Sequence, residues 1–415
     1  MIAGLLGEHL SHSYSKEIHE QLGGYSYSLI EKRADQLQEF LQKRQFDAIN
    51  VTIPYKQTVM PYLDEIDTHA KRIQAVNTIV NQKGCLIGYN TDYYGFAKML
   101  EFAKIPIAGR KVIVLGNGGA AKAVKAVLQD WQADQIIFVK PRPSPETIDY
   151  GTCYQFHQDA QVIINTSPIG MAPHAFACPI DLKRFHQLES VADLIYNPLK
   201  TQLILQAEKQ GLRCGSGLVM LVAQAVKAME HFTGQQLDES VISLMTNQLF
   251  YQKQNWVIVG MPGSGKSTIS QLLSKKLGYA FIDLDEQIIK EIGQPIAEYF
   301  AKYGETCFRD QESEAVKKAA LLSRCIISTG GGVVKRKENM EALKMNGCVL
   351  FLDRELEQLA LGNGRPLSQD FDQVKKLYEE RIELYRLAAD ITVSNNGTLD
   401  ETLHACIQAI EGERK

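Results

Sequence analysis

Trp256-Val-Ile-Val-Gly260-Met-Pro-Gly263-Ser264-Gly265-Lys266-Ser267-Thr268 decides the fold of the C-terminal half. A β-branched apolar run, a glycine loop of the form GxxxxGK[ST] and the helical-period stretch STISQLLSKKL stand in that order, the grammar of a strand, a phosphate loop and a helix. The glycines let backbone N–H groups turn inward onto phosphate oxygens at the positive end of the helix. Lys266 then reaches the β/γ-phosphates and the Ser267 hydroxyl faces Mg²⁺.

Outward from this loop the same alternation of short apolar runs and helical periods fills the chain, so the class is α/β with parallel sheets crossed over by helices. Candidate strands are Ile2–Leu6, Tyr25–Leu29 and Ala48–Ile53, with helices near Lys16–Leu22 and Ala34–Lys43 between them. Lys111–Leu115 opens a second unit, followed by Gly116, Gly118, Gly119 and Ala120 and the helix AAKAVKAVLQDW, as a dinucleotide-binding turn would be. Helices near Gly217–Phe232 and Glu239–Tyr251 close the first half, and the polar Gln252–Asn255 reads as a short linker to the second. After the phosphate loop, Asp283 and Asp285 are spaced to share one side of a strand end, and Gly330-Gly331-Gly332 follows the run CIIST.

At 415 residues the chain holds two to three domains of ordinary size, about 150 residues each. Its 45 basic and 48 acidic side chains leave a net charge of -3, so no basic field wraps nucleic acid or an anionic membrane, and anionic partners are small and met locally. No apolar run reaches the length of a membrane span. Eight scattered cysteines with no CxxC pair argue against structural zinc and a disulfide framework. With no export signature at the N-terminus, the expected compartment is the cytoplasm.

Residues 255–415 resemble shikimate kinase: the phosphate loop, the Asp283/Asp285 pair, Phe308-Arg309 with Glu312, the glycine triplet, Arg365-Pro366-Leu367, and Arg381 to Tyr385 recur in the family's order. The resemblance implies a P-loop α/β/α kinase domain that uses ATP with Mg²⁺. Asp285 would then be the base, beside a catalytic Lys266. Arg309, Arg381, Gly331 and Gly332 would bind the acceptor and its carboxylate. The nucleotide would be held by Gly260, Gly263, Ser264, Gly265, Lys266, Ser267, Thr268 and Arg365, and the metal by Ser267 and Asp283. Planar guanidiniums suit a carboxylate anchor because they bond it bidentately. The chain departs from the family at Leu359–Arg365, which has no second arginine ahead of Arg365, and at Glu383, where proline is common.

Residues 1–250 resemble shikimate dehydrogenase, through His12-Ser13-Tyr-Ser15, Asn50-Val-Thr52-Ile-Pro-Tyr-Lys56, Ala75-Val-Asn77-Thr, Gly88-Tyr-Asn90-Thr-Asp92, the glycine turn, Asn165-Thr-Ser-Pro-Ile-Gly170-Met171, Asp193 to Pro198, and Gly217 to Gln224. The resemblance implies a two-lobed enzyme, with a substrate lobe of about 1–101 plus 217–250 and a Rossmann-type NADP-binding lobe of about 102–216, within a domain of 1–252 that precedes the kinase at 253–415. It makes Lys56 and Asp92 catalytic and gives Ser13, Ser15, Thr52, Asn77, Tyr196 and Gln224 to the substrate. Gly116, Gly118, Gly119, Ala120, Gly217, Lys140 and Arg142 fall to the cofactor. A lysine beside a carboxylate can remain charged and donate to a carbonyl oxygen gaining negative charge. Cations at Lys140 and Arg142, where an acidic residue would meet a ribose hydroxyl, favour a 2′-phosphate and hence NADP. Lys140-Pro141-Arg142 replaces the usual Asn-Arg-Thr/Ser, which leaves cofactor preference open, and Lys16 replaces a proline.

Together the two resemblances imply a bifunctional enzyme for two consecutive steps of the shikimate pathway, NADPH-dependent reduction of 3-dehydroshikimate and ATP-dependent phosphorylation of shikimate. Its partners would be those small molecules. Two alternatives stay open: an NAD-using quinate/shikimate dehydrogenase fused to the kinase, and a non-catalytic ligand-sensing regulator. The regulator predicts eroded chemistry, whereas Lys56, Asp92, Lys266, Ser267 and Asp285 all stand in place.

Overall fold

The computed structural model describes residues 1–10, 14–359 and 371–414. It divides into two compact units, Met1–Asn197 with Thr201–Gln248, and Pro198–Lys200 with Leu249–Lys415. Among the described residues no helix is long and apolar enough to cross a membrane.

The first sheet of the N-terminal unit contains β1 (Ala3–Gly7), β2 (Tyr27–Glu31), β3 (Ala48–Val51), β4 (Glu65–Ile66), β5 (Thr78–Gln82) and β6 (Cys85–Tyr89), in the order β2-β1-β3-β5-β6-β4. It is not the all-parallel sheet that the alternation of strands and helices implies, because β5 is antiparallel to both β3 and β6. The cause is local: Lys83 and Gly84 both take positive φ, 52° and 94°, and form a two-residue hairpin whose twist matches the flanking strands. Two reversals restore the direction, so β3 and β6 run the same way and leave the sheet at the same edge. Tyr27, not Tyr25, starts β2, and the expected helix Ala34–Lys43 is a 3₁₀ turn, Ala34–Gln36, followed by the helix Leu37–Lys43.

The second sheet is wholly parallel, with β7 (Lys111–Leu115), β8 (Gln135–Val139), β9 (Val162–Asn165), β10 (Ser190–Asp193) and β11 (Arg213–Ser216) in the order β11-β10-β9-β7-β8. Successive β7 residues alternate between its faces. Val112 and Val114 join Val124 and Val127 of the helix Gly119–Asp130 in one core, while Ile113 and Leu115 pack with Leu203 and Ile204 in the other. Burial on both faces is why the strand sequence reads as an unbroken apolar run.

The C-terminal unit carries one parallel sheet, β12 (Asn255–Val259), β13 (Ala280–Asp283), β14 (Cys325–Ser328), β15 (Gly347–Asp353) and β16 (Ile391–Ser394), in the order β13-β14-β12-β15-β16. The expected polar linker Gln252–Asn255 is not a linker. The preceding helix runs from Ser240 to Lys253, and Asn255 is the buried first residue of β12. Its amide accepts from Cys325 N at 2.9 Å and donates to Leu322 O at 2.7 Å, so a residue that reads as surface polar fastens the start of β12 to the start of β14.

Candidate active sites

In the N-terminal unit, Lys56 follows β3, Asp92 follows β6, and Asn77 stands one residue before the antiparallel β5. The strand directions therefore bring all three to one sheet edge, where they line a cavity of about 650 Å³. Lys56 Nζ lies 2.6 Å from Asp92 Oδ2, with only 19% and 9% of the two side chains exposed. Asn77 Nδ2 donates to the other oxygen, Oδ1, at 2.9 Å, and to Thr91 Oγ1 at 3.0 Å. Asp92 opens the helix Asp92–Phe102, where the positive end of the helix favours a carboxylate.

Ser15, Thr52, Tyr196, Gly217 and Gln224 line the same cavity. Ser13 lies outside the described residues. Burial pushes the Tyr196 phenol above its ordinary range, and its ring meets that of Tyr14 at 5.3 Å. Two further residues matter that were not singled out individually from the sequence. Thr91 donates to Gln224 Oε1 at 3.5 Å and so connects the β6 end to the helix Gly217–Thr233. Asn50, also lining the cavity, accepts from Tyr27 OH at 2.7 Å and donates to Thr78 Oγ1 at 3.1 Å. The signal for both was a polar residue at the end of a buried strand.

At the second sheet the glycine turn and the cations meet one edge, because Gly116 N donates to Val139 O at 2.8 Å and Lys140 and Arg142 follow directly. Among the described residues a Cβ added at Gly118 or Gly119 would meet nothing within 4 Å, so the backbone there is open to a ligand. Neither Lys140 nor Arg142 has an ion-pair partner among the described residues. An open turn beside uncommitted cations fits a phosphorylated dinucleotide. Ala120, the second residue of the turn's helix, reaches the substrate cavity.

In the C-terminal unit, Gly260, Gly263 and Gly265 all take positive φ, and Gly265 precedes the helix Lys266–Leu277. Lys266 Nζ is buried and donates to Gly260 O and Met261 O, each at 2.9 Å. Ser264 is buried in the loop, and Thr268 lines a cavity of about 540 Å³ with Gly263, Lys266 and Ser267. Ser267 Oγ donates to Asp283 Oδ2 at 2.8 Å, two oxygens converging as a hard divalent cation requires. Among the described residues no group of three His, Cys, Asp or Glu forms a metal cage.

The expectation that Asp283 and Asp285 share one side of a strand does not hold. Asp283 ends β13 and caps the helix Leu284–Ile292, its Oδ1 accepting from Asp285 N at 3.0 Å. Asp285 is already helical, and the change of backbone period is what turns it into the 540 Å³ cavity. The glycine triplet makes room there. A Cβ at Gly330 would lie 2.7 Å from Asp285 Oδ1, one at Gly331 2.7 Å from Pro262, and one at Gly332 would strike the Arg309 guanidinium.

Arg309 and Arg381 both line this cavity and are almost wholly buried. Arg309 NH1 meets both Glu312 oxygens at 2.9 Å, and burial raises the Glu312 carboxyl above its ordinary range against the pull of Arg309. Arg381 NH1 donates to Gly331 O at 3.1 Å, while its Nε is buried with no partner among the described residues, an open donor. Arg365 lies outside the described residues.

Comparison with known proteins finds a different family model toward each end of the chain. The family model for the shikimate dehydrogenase substrate binding domain matches residues 5–79, and that for shikimate kinase matches residues 262–411. A shikimate dehydrogenase (NADP(+)) from Clostridium perfringens is 39% identical over 255 residues, 57% of this chain and 94% of the relative. Among solved structures, a chorismate mutase/shikimate 5-dehydrogenase fusion protein from Clostridium acetobutylicum is 36% identical, with a TM-score of 0.57 over 60% of this chain and 96% of that one. A Thermus thermophilus shikimate 5-dehydrogenase, solved with NADP(H) and shikimate, is 28% identical, with a TM-score of 0.54 over 60% and 99%. The chain thus belongs to the shikimate dehydrogenase family in its N-terminal unit and carries a shikimate kinase domain in its C-terminal unit, a bifunctional oxidoreductase and kinase of the shikimate pathway.

Proposed function

We propose that the N-terminal unit reduces 3-dehydroshikimate to shikimate with NADPH and that the C-terminal unit phosphorylates shikimate on its 3-hydroxyl with ATP. The observation that carries this reading is that each unit's cavity gathers an ammonium, a carboxylate and converging donors, Lys56, Asp92 and Asn77 in one, Lys266, Asp285, Arg309 and Arg381 in the other. NADPH supplies a hydride and Mg²⁺ supplies charge neutralisation at the phosphates when they are bound.

In the first cavity the Lys56 ammonium hydrogen-bonds the ketone oxygen and delivers its proton as that oxygen gains charge. Asp92 holds the ammonium in line and accepts from a substrate hydroxyl. Ser13, Ser15, Thr52, Asn77, Tyr196 and Gln224 orient the ring, while Gly116, Gly118, Gly119, Ala120 and Gly217 carry the dinucleotide, and Lys140 with Arg142 favours its 2′-phosphate. In the second cavity Arg309 and Arg381 bind the carboxylate, Gly331 and Gly332 let the acceptor approach, and Asp285 takes the proton of the attacking hydroxyl. Lys266 and the loop N–H groups, with Arg365, neutralise phosphate charge, and Ser267 with Asp283 holds the metal. We assign residues 1–252 to the first activity and 253–415 to the second. All eight cysteines are unpaired, which supports a cytoplasmic site of action.

The test uses the whole chain in two assays, 3-dehydroshikimate with NADPH followed by nucleotide oxidation, and shikimate with Mg·ATP followed by ADP release. Lys56→Ala should remove only the reduction and Lys266→Ala only the phosphoryl transfer. A variant that keeps its own activity sinks that assignment, and faster turnover of quinate with NAD would favour the quinate/shikimate reading instead.

A further inference from the structure

We propose that Arg354 binds the polyphosphate of the nucleoside triphosphate in the kinase site, a role that rests on the kinase reading above. Arg354 is the first residue beyond β15, the sheet neighbour of β12, and the two strands run parallel with Val259 opposite Phe351. The guanidinium therefore emerges at the edge from which the phosphate loop springs. A Cβ at Gly265, the residue that caps the phosphate-loop helix, would find two groups within 4 Å among the described residues, Asn395 Nδ2 at 3.6 Å and Arg354 NH1 at 4.0 Å.

These two groups differ in what they have left to offer. The Asn395 side chain is already engaged at both ends: it donates to Ser264 O and accepts from Thr402 Oγ1 at 2.7 Å, while its backbone N–H donates to Asp353 O at 2.7 Å. Arg354 makes no hydrogen bond or ion pair with any described residue, and its Nε is buried without a partner. The next carboxylate along the chain, Glu355, is taken by the Asn396 amide at 3.1 Å. A guanidinium nitrogen withdrawn from water and left unpaired is costly, and the cost is recovered when a ligand brings the acceptor. What comes within reach of Gly265 at a helix N-terminus is an anion, and phosphate oxygens match the guanidinium fork bidentately.

The test uses the full chain, measures binding of Mg·ADP, tripolyphosphate and adenosine with NADP⁺ saturating so that the dinucleotide turn is filled, and follows steady-state kinetics with shikimate and Mg·ATP without NADP⁺. Arg354→Ala should weaken Mg·ADP and tripolyphosphate and raise KM for ATP by about tenfold, the loss of one charge-assisted bidentate contact, while KM for shikimate stays within twofold. Arg354→Lys should fall between Arg354→Ala and the wild type. The unchanged shikimate KM certifies the fold, and should Arg354→Ala fail to fold, Arg354→Gln, which keeps the side chain's bulk, carries the same comparison. Mg·ADP affinity within twofold of wild type overturns the proposal, as does a loss confined to adenosine with tripolyphosphate unaffected. A wild-type chain that binds Mg·ADP yet transfers nothing to shikimate would defeat the kinase reading separately, because the binding arms still report on Arg354.

Discussion

The side-chain amide of Asn77 donates to Asp92 Oδ1 at 2.9 Å, on the one carboxylate oxygen that Lys56 leaves free. Each oxygen of Asp92 thus has its own donor, and the lysine is held by a carboxylate that cannot rotate away. Asn77→Ala should lower kcat for reduction by about 10- to 100-fold and Lys56→Ala by about 100-fold or more, the range of general-acid contributions. NADPH absorbance measures the loss, and ADP release from separately supplied shikimate and Mg·ATP should be unaltered.

Gly332 gives the Arg309 guanidinium its space. Gly332→Ala should displace that side chain and raise KM for shikimate in the kinase reaction by about tenfold, the scale of one charge-assisted contact, while KM for ATP changes little. Equal increases for both substrates would mean that the loop as a whole had moved.

Arg309 and Glu312 form a buried ion pair on one helix, three residues apart. Removing the carboxylate strands a charge away from water, so Glu312→Ala should cost about 3 kcal/mol, the low end for a broken buried pair, since Glu305 remains 3.3 Å from Arg309. Urea unfolding followed by loss of phosphoryl transfer reads this. A midpoint unchanged from wild type would place the pair's energy near zero.

His19 is fully buried, stacked on Tyr27 at 4.3 Å and on Phe232 at 5.5 Å, and burial lowers its pKa from an ordinary 6.5 to about 3. Below pH 6.5 the unfolded chain binds a proton there that the folded chain refuses until about pH 3, so stability falls as the pH falls through that window. His19→Phe keeps the stacking and removes the proton. Its urea midpoint, read from reductase activity, should decline less steeply than wild type between pH 6.5 and pH 4, and parallel curves would contradict the assignment.

The two glycine turns were legible in the sequence because each is a contiguous strand, loop and helix whose residues act on their immediate neighbours. The antiparallel β5 was not, since the pair Lys83-Gly84 makes a hairpin only through its backbone angles, and neither was the polar Asn255 at the head of β12. Asp285 was misread for a related reason. The period changes from strand to helix between it and Asp283, and a two-residue spacing carries different directions on either side of that change.

By itself the sequence determined the α/β class, the two nucleotide-binding turns and the identities of the chemical groups, because local periodicity and loop chemistry act over a few bonds. Tertiary packing decided which oxygen of Asp92 meets Lys56, that Arg309 meets Glu312 through NH1 while Arg381 keeps a donor open, and that Arg354 reaches Gly265. Those relations join residues tens of positions apart or fix the direction of a single side chain. Strand order and burial set them, and neither is written in any one segment.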